Sequence, residues 1–388
     1  MAPLPPNAPI GLYVHVPFCA HICPYCDFNT YAGQESLIPR HLDATLRDME
    51  RQAESVEGRT ASTLYFGGGT PSLVPPEGIG RIVAMARERY GLAPDAEVTL
   101  EANPNSVDEA YFAGLREAGV NRVSLGVQTL DRRGLRTLGR QHEAADARAA
   151  FEAARRAGFE NISLDFIFGW PGQTLETWRR DLASVLAWGG SGPEHLSLYS
   201  LIIEPGTPMF EAATRGILIP LDDDAAADLY EAAIATLVEA GWTHYEVANW
   251  ARRPDLYSRH NALYWRNGDF LAFGAGGHGT LAGRRTMNHL LPKTYIEAIE
   301  SGQPGWSNVE TIDARTAMGE TMMLGLRLLH ESVTEVEFLA RHGVGLMAQF
   351  GPIVNELAGI GMLRRERGRV TLTERGLMLA NDVCARFV

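Results

Sequence analysis

The amino-acid sequence predicts an α/β fold, an incomplete TIM-like (β/α)6 barrel followed by a smaller winged-helix-like domain. Short β-rich runs alternate with helical patterns in six successive units between residues 12 and 240. That alternation argues for parallel strands with right-handed crossovers. Each run also delivers an odd polar or glycine-rich feature at its C-terminal end: the first three cysteines, Gly67–Thr70, Glu101, Gln128, Asp165 and Ser200. Strand ends that all feed one site are barrel geometry, whereas a doubly wound sheet gathers them at one switch point. Residues 309–388 read differently, as helix, helix, hairpin.

The units follow in order. "LYVHV" (12–16) precedes the cysteine loop, and a helix begins near Ser36 with Leu42, Leu46 and Met49 on one face. "STLYF" (62–66) runs into "GGGTP" and a helix near 77–90. "EVTLEANP" (97–104) leads to a helix near 108–118, and "RVSLGVQ" (122–128) to helices near 131–138 and 143–157. "NISLDFIFG" (161–169) precedes a helix near 175–188, and "HLSLYSLII" (195–203) one near 224–240. In the last domain Thr334 and Glu337 form a capping-box pattern, and a hairpin turns at Gly368 among Arg364, Arg365, Arg367 and Arg369.

Composition narrows the classes. The 388 residues are 45% hydrophobic and 21% charged, ordinary globular usage, with a net charge of −12. A duplex-binding protein carries a basic footprint, so nucleic acid is not an expected partner, and the arginines of the hairpin read as a solvated face. The opening "MAPLPPNAPI" has neither the charged nor the apolar region of a secretory leader. No apolar stretch approaches the ~20 residues of a membrane helix. The expectation is a cytoplasmic protein that is not an integral membrane protein. In that compartment thiols stay reduced, which favours metal or redox use of cysteine over a disulfide. Cys384 is expected to be a small buried hydrophobe.

"YVHVPFCAHICPYCDFNTY" (13–31) holds Cys19-x3-Cys23-x2-Cys26. A structural zinc site wants four ligands, which His15 or His21 would have to complete. Cys23 and Cys26 alone would make a dithiol and leave Cys19 unexplained. Three thiolates on the loop after the first strand suit a [4Fe–4S] cluster with one iron left open.

At this loop the chain resembles the radical S-adenosylmethionine (SAM) superfamily, in which CxxxCxxC on the first barrel loop holds that cluster and its open iron takes SAM. The resemblance implies that Cys19, Cys23 and Cys26 ligate the cluster. It also implies SAM contacts at Tyr13, Tyr25, Gly68, Gly69, Thr70, Glu101, Gln128, Arg140, Asp165, Ser200 and His278. Read without the family, Glu101 and Asp165 serve equally well as caps or salt-bridge partners. The match covers nearly the whole chain and is nearest the coproporphyrinogen-dehydrogenase-like branch, through "YVHVPFC", "GGGTPS", "GVQT", "DFIFGWPGQT" (165–174) and "LYSLIIEPGTP" (198–208). Phe168 and Trp170 depart from the branch's usual Tyr and Leu and remove no ligand.

Within that branch two activities share the scaffold. Oxygen-independent coproporphyrinogen III dehydrogenases, which serve porphyrin biosynthesis, carry a further cysteine two positions after the third; Phe28 stands there. "RHNALYW" (259–265) resembles the HNxxYW motif of the branch's haem chaperones, which implies haem contacts at His260, Asn261, Tyr264 and Trp265. Imidazole is a common axial ligand and aromatic rings pack on a porphyrin face. "FGAGGHGT" (273–280) adds a glycine-rich loop. The expected function is therefore haem binding and transfer to acceptors such as respiratory haem enzymes, with the dehydrogenase as the alternative. The resemblance also suggests a cluster-dependent homodimer. A zinc-stabilised barrel with a DNA-binding wing is the remaining reading. The expected division is 1–250 for the barrel with its cluster and SAM site, 251–308 for the HNxxYW segment and glycine-rich loop covering it, and 309–388 for the C-terminal domain.

Overall fold

A computed structural model describes residues 8–56 and 58–388; the first seven residues of the N-terminal stretch, read above for a leader, lie outside the described residues. Six strands run parallel in sequence order: β1 (Ile10–Val16), β2 (Ala61–Gly68), β3 (Glu97–Ala102), β4 (Arg122–Gln128), β5 (Ile162–Phe168) and β6 (His195–Ser200). The crossover helices are α1 (Ile38–Gln52), α2 (Pro76–Tyr90), α3 (Glu109–Glu117), α4 (Arg132–Thr137), α5 (Ala144–Arg156), α6 (Leu175–Leu186), α7 (Pro208–Thr214) and α8 (Asp223–Glu239). Several start where a side chain satisfies an orphan amide: Asp108 accepts from Tyr111, Asp131 from Gly134, and Thr174 closes a capping box with Thr177.

The strands alternate strictly. Leu12, Val14, Leu64, Phe66, Val98, Leu100, Val123 and Leu125 belong to the apolar core under the helices. Their neighbours form the other face: Tyr13 and His15, Thr63 and Tyr65, Thr99 and Glu101, Arg122 and Ser124, Ser163 and Asp165, His195 and Ser197. Period-two alternation thus puts a polar lining on the concave side of the sheet.

The sheet is larger than six strands. β7 (Thr243–Glu246) and β8 (Asn249–Ala251) add antiparallel strands beyond β6, and β9 (Phe270–Phe273) pairs parallel with β1 on the other side. β10 (His278–Leu281), β11 (Arg284–Asn288) and β12 (Trp306–Thr311) continue it as an antiparallel meander. The order is β12-β11-β10-β9-β1-β2-β3-β4-β5-β6-β8-β7. β9 to β12 therefore extend the sheet edge beyond β1. The glycine-rich loop after β9 packs close: a Cβ on Gly274 would meet the His15 carbonyl at 2.2 Å, and one on Gly276 the Asn29 amide at 2.1 Å. Asn29 also donates to the Leu290 carbonyl at 3.0 Å, so this loop braces the cysteine loop.

The C-terminal domain has its own core, in which Met322, Phe338, Phe350, Val354, Val370 and Phe387 are buried together. After α9 (Arg259–Trp265) and α10 (Pro292–Glu300), it contains α11 (Ala314–Gly325), α12 (Glu335–His342), α13 (Leu346–Gly359) and the hairpin β14 (Leu363–Glu366) and β15 (Arg369–Leu372), joined by β13 (Val333–Thr334). Cys384 lies in that core, as expected. The hairpin arginines are engaged locally, Arg365 with Glu335 at 2.7 Å and Arg369 with the His330 carbonyl. Among the described residues no helix is long and apolar enough to cross a membrane.

Candidate functional site

A cavity of about 380 Å³ opens at the C-terminal ends of the parallel strands. All three loop cysteines line it, and all are free thiols. Cys19 is buried, and the Thr70 hydroxyl donates to its sulfur at 3.3 Å. An Arg140 N–H lies 3.7 Å from the Cys23 sulfur. Burial pushes the Cys26 thiol up to about 11, against the Phe28 amide, which favours the thiolate. Among the described residues no three His, Cys, Asp or Glu side chains gather as ligands of one ion. His15 is turned away from the thiols, with Nδ1 3.0 Å from the Tyr13 hydroxyl and Nε2 3.0 Å from the Asn29 carbonyl.

The glycines after β2 let two loops touch. Gly68 has φ +112°, where a side chain is strained, and a Cβ on Gly69 would meet the Phe18 carbonyl at 2.6 Å. Gly69 and Thr70 donate their amides to Val16 and Phe18, both at 2.8 Å. The cysteine loop is thereby fixed against the end of β2.

Across the floor stand Glu101 and Asp165. Desolvation pushes Glu101 up to about 7, although the Tyr65 hydroxyl donates to Oε1 at 2.7 Å and favours the carboxylate. Asp165 is raised by burial too, with the Ser124 hydroxyl 2.9 Å from each oxygen. Arg140 donates to Asn103 Oδ1 at 2.6 Å and to the Gly126 carbonyl at 3.0 Å, while its buried Nε has no protein partner. Gln128 takes φ +67° at a register shift between β4 and β5. Such bulges with left-handed non-glycine residues cluster at functional sites.

Of the residues expected from the sequence, Cys19, Cys23, Cys26, Tyr25, Gly68, Gly69, Thr70, Glu101, Gln128, Arg140, Asp165, Ser200 and Asn261 line this one cavity. Tyr13 does not; it lies behind, stacked on Tyr65. His278 stands exposed at the start of β10 and is also outside the lining.

Of the haem set, Asn261 alone lines the cavity. His260, on α9 (Arg259–Trp265), is 0% exposed. Its Nδ1 lies 2.8 Å from the Thr63 hydroxyl and its Nε2 2.6 Å from the Tyr264 hydroxyl. Both ring nitrogens are thus hydrogen-bonded to side-chain hydroxyls. Tyr264 is occupied by that contact, and Trp265 lies under Arg327, 4.3 Å from the ring centroid.

Sequence reasoning missed Tyr65, Asn103, Arg122, Ser124, Ser197 and Tyr199 in the lining. The signal was present in the two-residue period: Tyr65 precedes Gly67 by two, Ser124 precedes Gly126 by two, and Ser197 and Tyr199 alternate with Leu196 and Leu198.

An open parallel barrel with three free thiols at its mouth defines the radical SAM class. The Radical SAM superfamily profile matches residues 13–185, and the HemN C-terminal domain profile matches 312–379. The heme chaperone HemW of Bacillus subtilis (strain 168) is 35% identical, over 97% of this chain and 98% of the relative. Those of Mycobacterium tuberculosis H37Rv (38%, 99% and 95%) and Escherichia coli K12 (34%, 98% and 98%) match as fully. The chain belongs to the HemW family. The coproporphyrinogen III oxidase HemN of Escherichia coli, a radical SAM enzyme of solved structure, superposes with a TM-score of 0.83 over 98% of this chain and 90% of its own. At 23% identity that likeness speaks for the fold.

The donor set fits the groups this class implies. A cluster binds each thiolate to a different iron, so its ligands ring a space and do not converge on one point. A floor of carboxylates beside an arginine with an unpartnered buried N–H suits a zwitterionic ligand such as SAM.

Proposed function

We propose that this chain is a haem chaperone that binds haem and passes it to acceptor proteins such as respiratory haem enzymes, in the cytoplasm. The observation that carries this reading is likeness over 97% or more of the chain to relatives named as heme chaperones. Phe28, exposed at the cavity mouth where the dehydrogenase would place a cysteine, supports it. Cys19, Cys23 and Cys26 hold a [4Fe–4S] cluster, which supplies an iron with an open position for SAM. Thr70 steadies the Cys19 sulfur and Arg140 screens the charge at Cys23. The cavity residues orient SAM, with Glu101 and Asp165 as acceptors and Arg140 for its carboxylate. With a cluster held by Cys19, Cys23 and Cys26, the chain would form the cluster-dependent homodimer that the resemblance implies. The barrel (1–250) and the C-terminal domain (309–388) act as the units proposed from the sequence.

The test is an anaerobic titration of the cluster-reconstituted chain with haem, followed in the Soret region, beside incubation with SAM, a reductant and coproporphyrinogen. Saturable haem uptake without porphyrinogen turnover is the expected result. Formation of protoporphyrinogen with release of carbon dioxide would replace this reading with the dehydrogenase.

A further inference from the structure

His41, Asp48 and Tyr295 are polar side chains in the core that line neither the cavity nor the haem motif. His41 and Asp48 stand on α1 and Tyr295 on α10, and all three are buried. The oxygens of Asp48 are taken by neutral donors, Gln52 Nε2 at 3.0 Å and the Tyr295 hydroxyl at 2.8 Å. A satisfied buried network of this kind rigidifies what it touches.

What it touches is the glycine-rich loop just past β9. The Gly274 amide donates to the Tyr295 hydroxyl at 3.1 Å, and the Ala275 amide donates to His41 Nε2 at 3.1 Å. That nitrogen is therefore unprotonated, and burial keeps the ring neutral by lowering it to about 3. Neither amide has a strand or helix partner, so these side chains satisfy two buried donors.

The same imidazole faces the cysteine loop. Its ring meets that of Phe18 edge-on, with centroids 5.3 Å apart and planes at 86°. Phe18 is fully buried and directly precedes Cys19. Beyond Cys26, the Asn29 side chain donates to the Ala275 carbonyl at 3.4 Å. The cysteine loop is thus held on both sides of its thiols, at Phe18 by His41 and at Asn29 by the peptide that His41 fixes.

We propose that His41, with the Tyr295–Asp48 pair beside it, is a positioning residue for the cluster. It holds Phe18 and the glycine-rich loop together, so that the loop carrying Cys19, Cys23 and Cys26 keeps one shape. This rests on the cluster reading and extends it to side chains outside the cavity.

The full chain and its variants are reconstituted anaerobically. Iron and sulfide content, the rate of iron loss to a chelator, and the electron paramagnetic resonance of the reduced cluster with SAM are then measured. His41→Leu fills the space and strands the Ala275 amide, whereas His41→Gln keeps an acceptor. His41→Leu is expected to lose iron about tenfold or more faster and to broaden the resonance. Tyr295→Phe is expected to act in the same direction, and His41→Gln to keep the rate and signal of the unaltered chain. Val354→Ala, in the separate C-terminal core, is expected to lower the melting temperature and leave both readouts unchanged. Iron loss in His41→Leu that is no faster than in the unaltered chain or in Val354→Ala overturns the role. So does a His41→Gln that loses iron as fast as His41→Leu. If His41→Leu does not fold, Tyr295→Phe decides, and unchanged iron loss there overturns the proposal. An unaltered chain that takes up no iron and sulfide removes the cluster reading itself.

Discussion

The imidazole of His260 stacks on the phenol ring of Tyr65, centroids 5.0 Å apart and planes 22° from parallel. Tyr65 in turn donates to Glu101 on the cavity floor. The histidine of the HNxxYW segment is thus a support beneath the cavity, one ring removed from it.

His260→Phe keeps the stack but leaves the Thr63 and Tyr264 hydroxyls without their partner. A loss of about 1–3 kcal/mol is expected in chemical denaturation. SAM affinity of the reconstituted chain is expected to fall, because Tyr65 is less well held against Glu101. An unchanged axial-ligand spectrum of bound haem in this variant would remove His260 from the iron.

Glu101 sets a pH dependence. Its folded value of about 7 lies above the ordinary 4.5. A carboxyl raised on folding stabilises fully below the ordinary value, and that contribution is lost as pH rises to and through the folded one. The facing groups are Tyr65, Asp165 and Arg122. In the cofactor-free chain Glu101→Gln should match the unaltered protein near pH 4.5. By pH 7.5 it should exceed it by up to about 3 kcal/mol. A difference in melting temperature that does not grow with pH would contradict this.

Cys19→Ala, Cys23→Ala and Cys26→Ala are each expected to abolish cluster assembly, read as iron and sulfide content and visible absorption. Cys384→Ala, in the C-terminal core, is expected to retain full iron content. Cluster retention in any of the first three would remove that thiol from the ligand set.

Arg327 joins the C-terminal domain to the barrel. It pairs at 2.6 Å with Glu246, whose side chain is fully buried, and lies over Trp265. Removing one partner of a buried pair strands the other, so Arg327→Ala should cost about 3–5 kcal/mol. Arg327→Leu with Glu246→Gln should cost less, in the same denaturation measurement. Equal losses in both would mean that the pair itself is not what holds the joint.

The six parallel strands were legible because each is a buried run that ends in residues a barrel mouth needs, as "LEANP" does at the end of β3. β9 was not, since "FLAF" is four residues long and its partner β1 lies some 260 positions earlier. The cavity set was largely legible for the same reason as the strands. The burial of His260 was not legible, because it involves Thr63 on a distant strand as well as Tyr264, and a local motif does not report that.

Haem delivery is read out by loading the cluster-reconstituted chain with haem under anaerobic conditions and mixing it with the haem-free form of a haem enzyme. A haem chaperone moves the Soret signal to the acceptor and raises acceptor activity at a rate exceeding that from free haem. Haem that never binds, or that reaches the acceptor no faster than free haem, would contradict it.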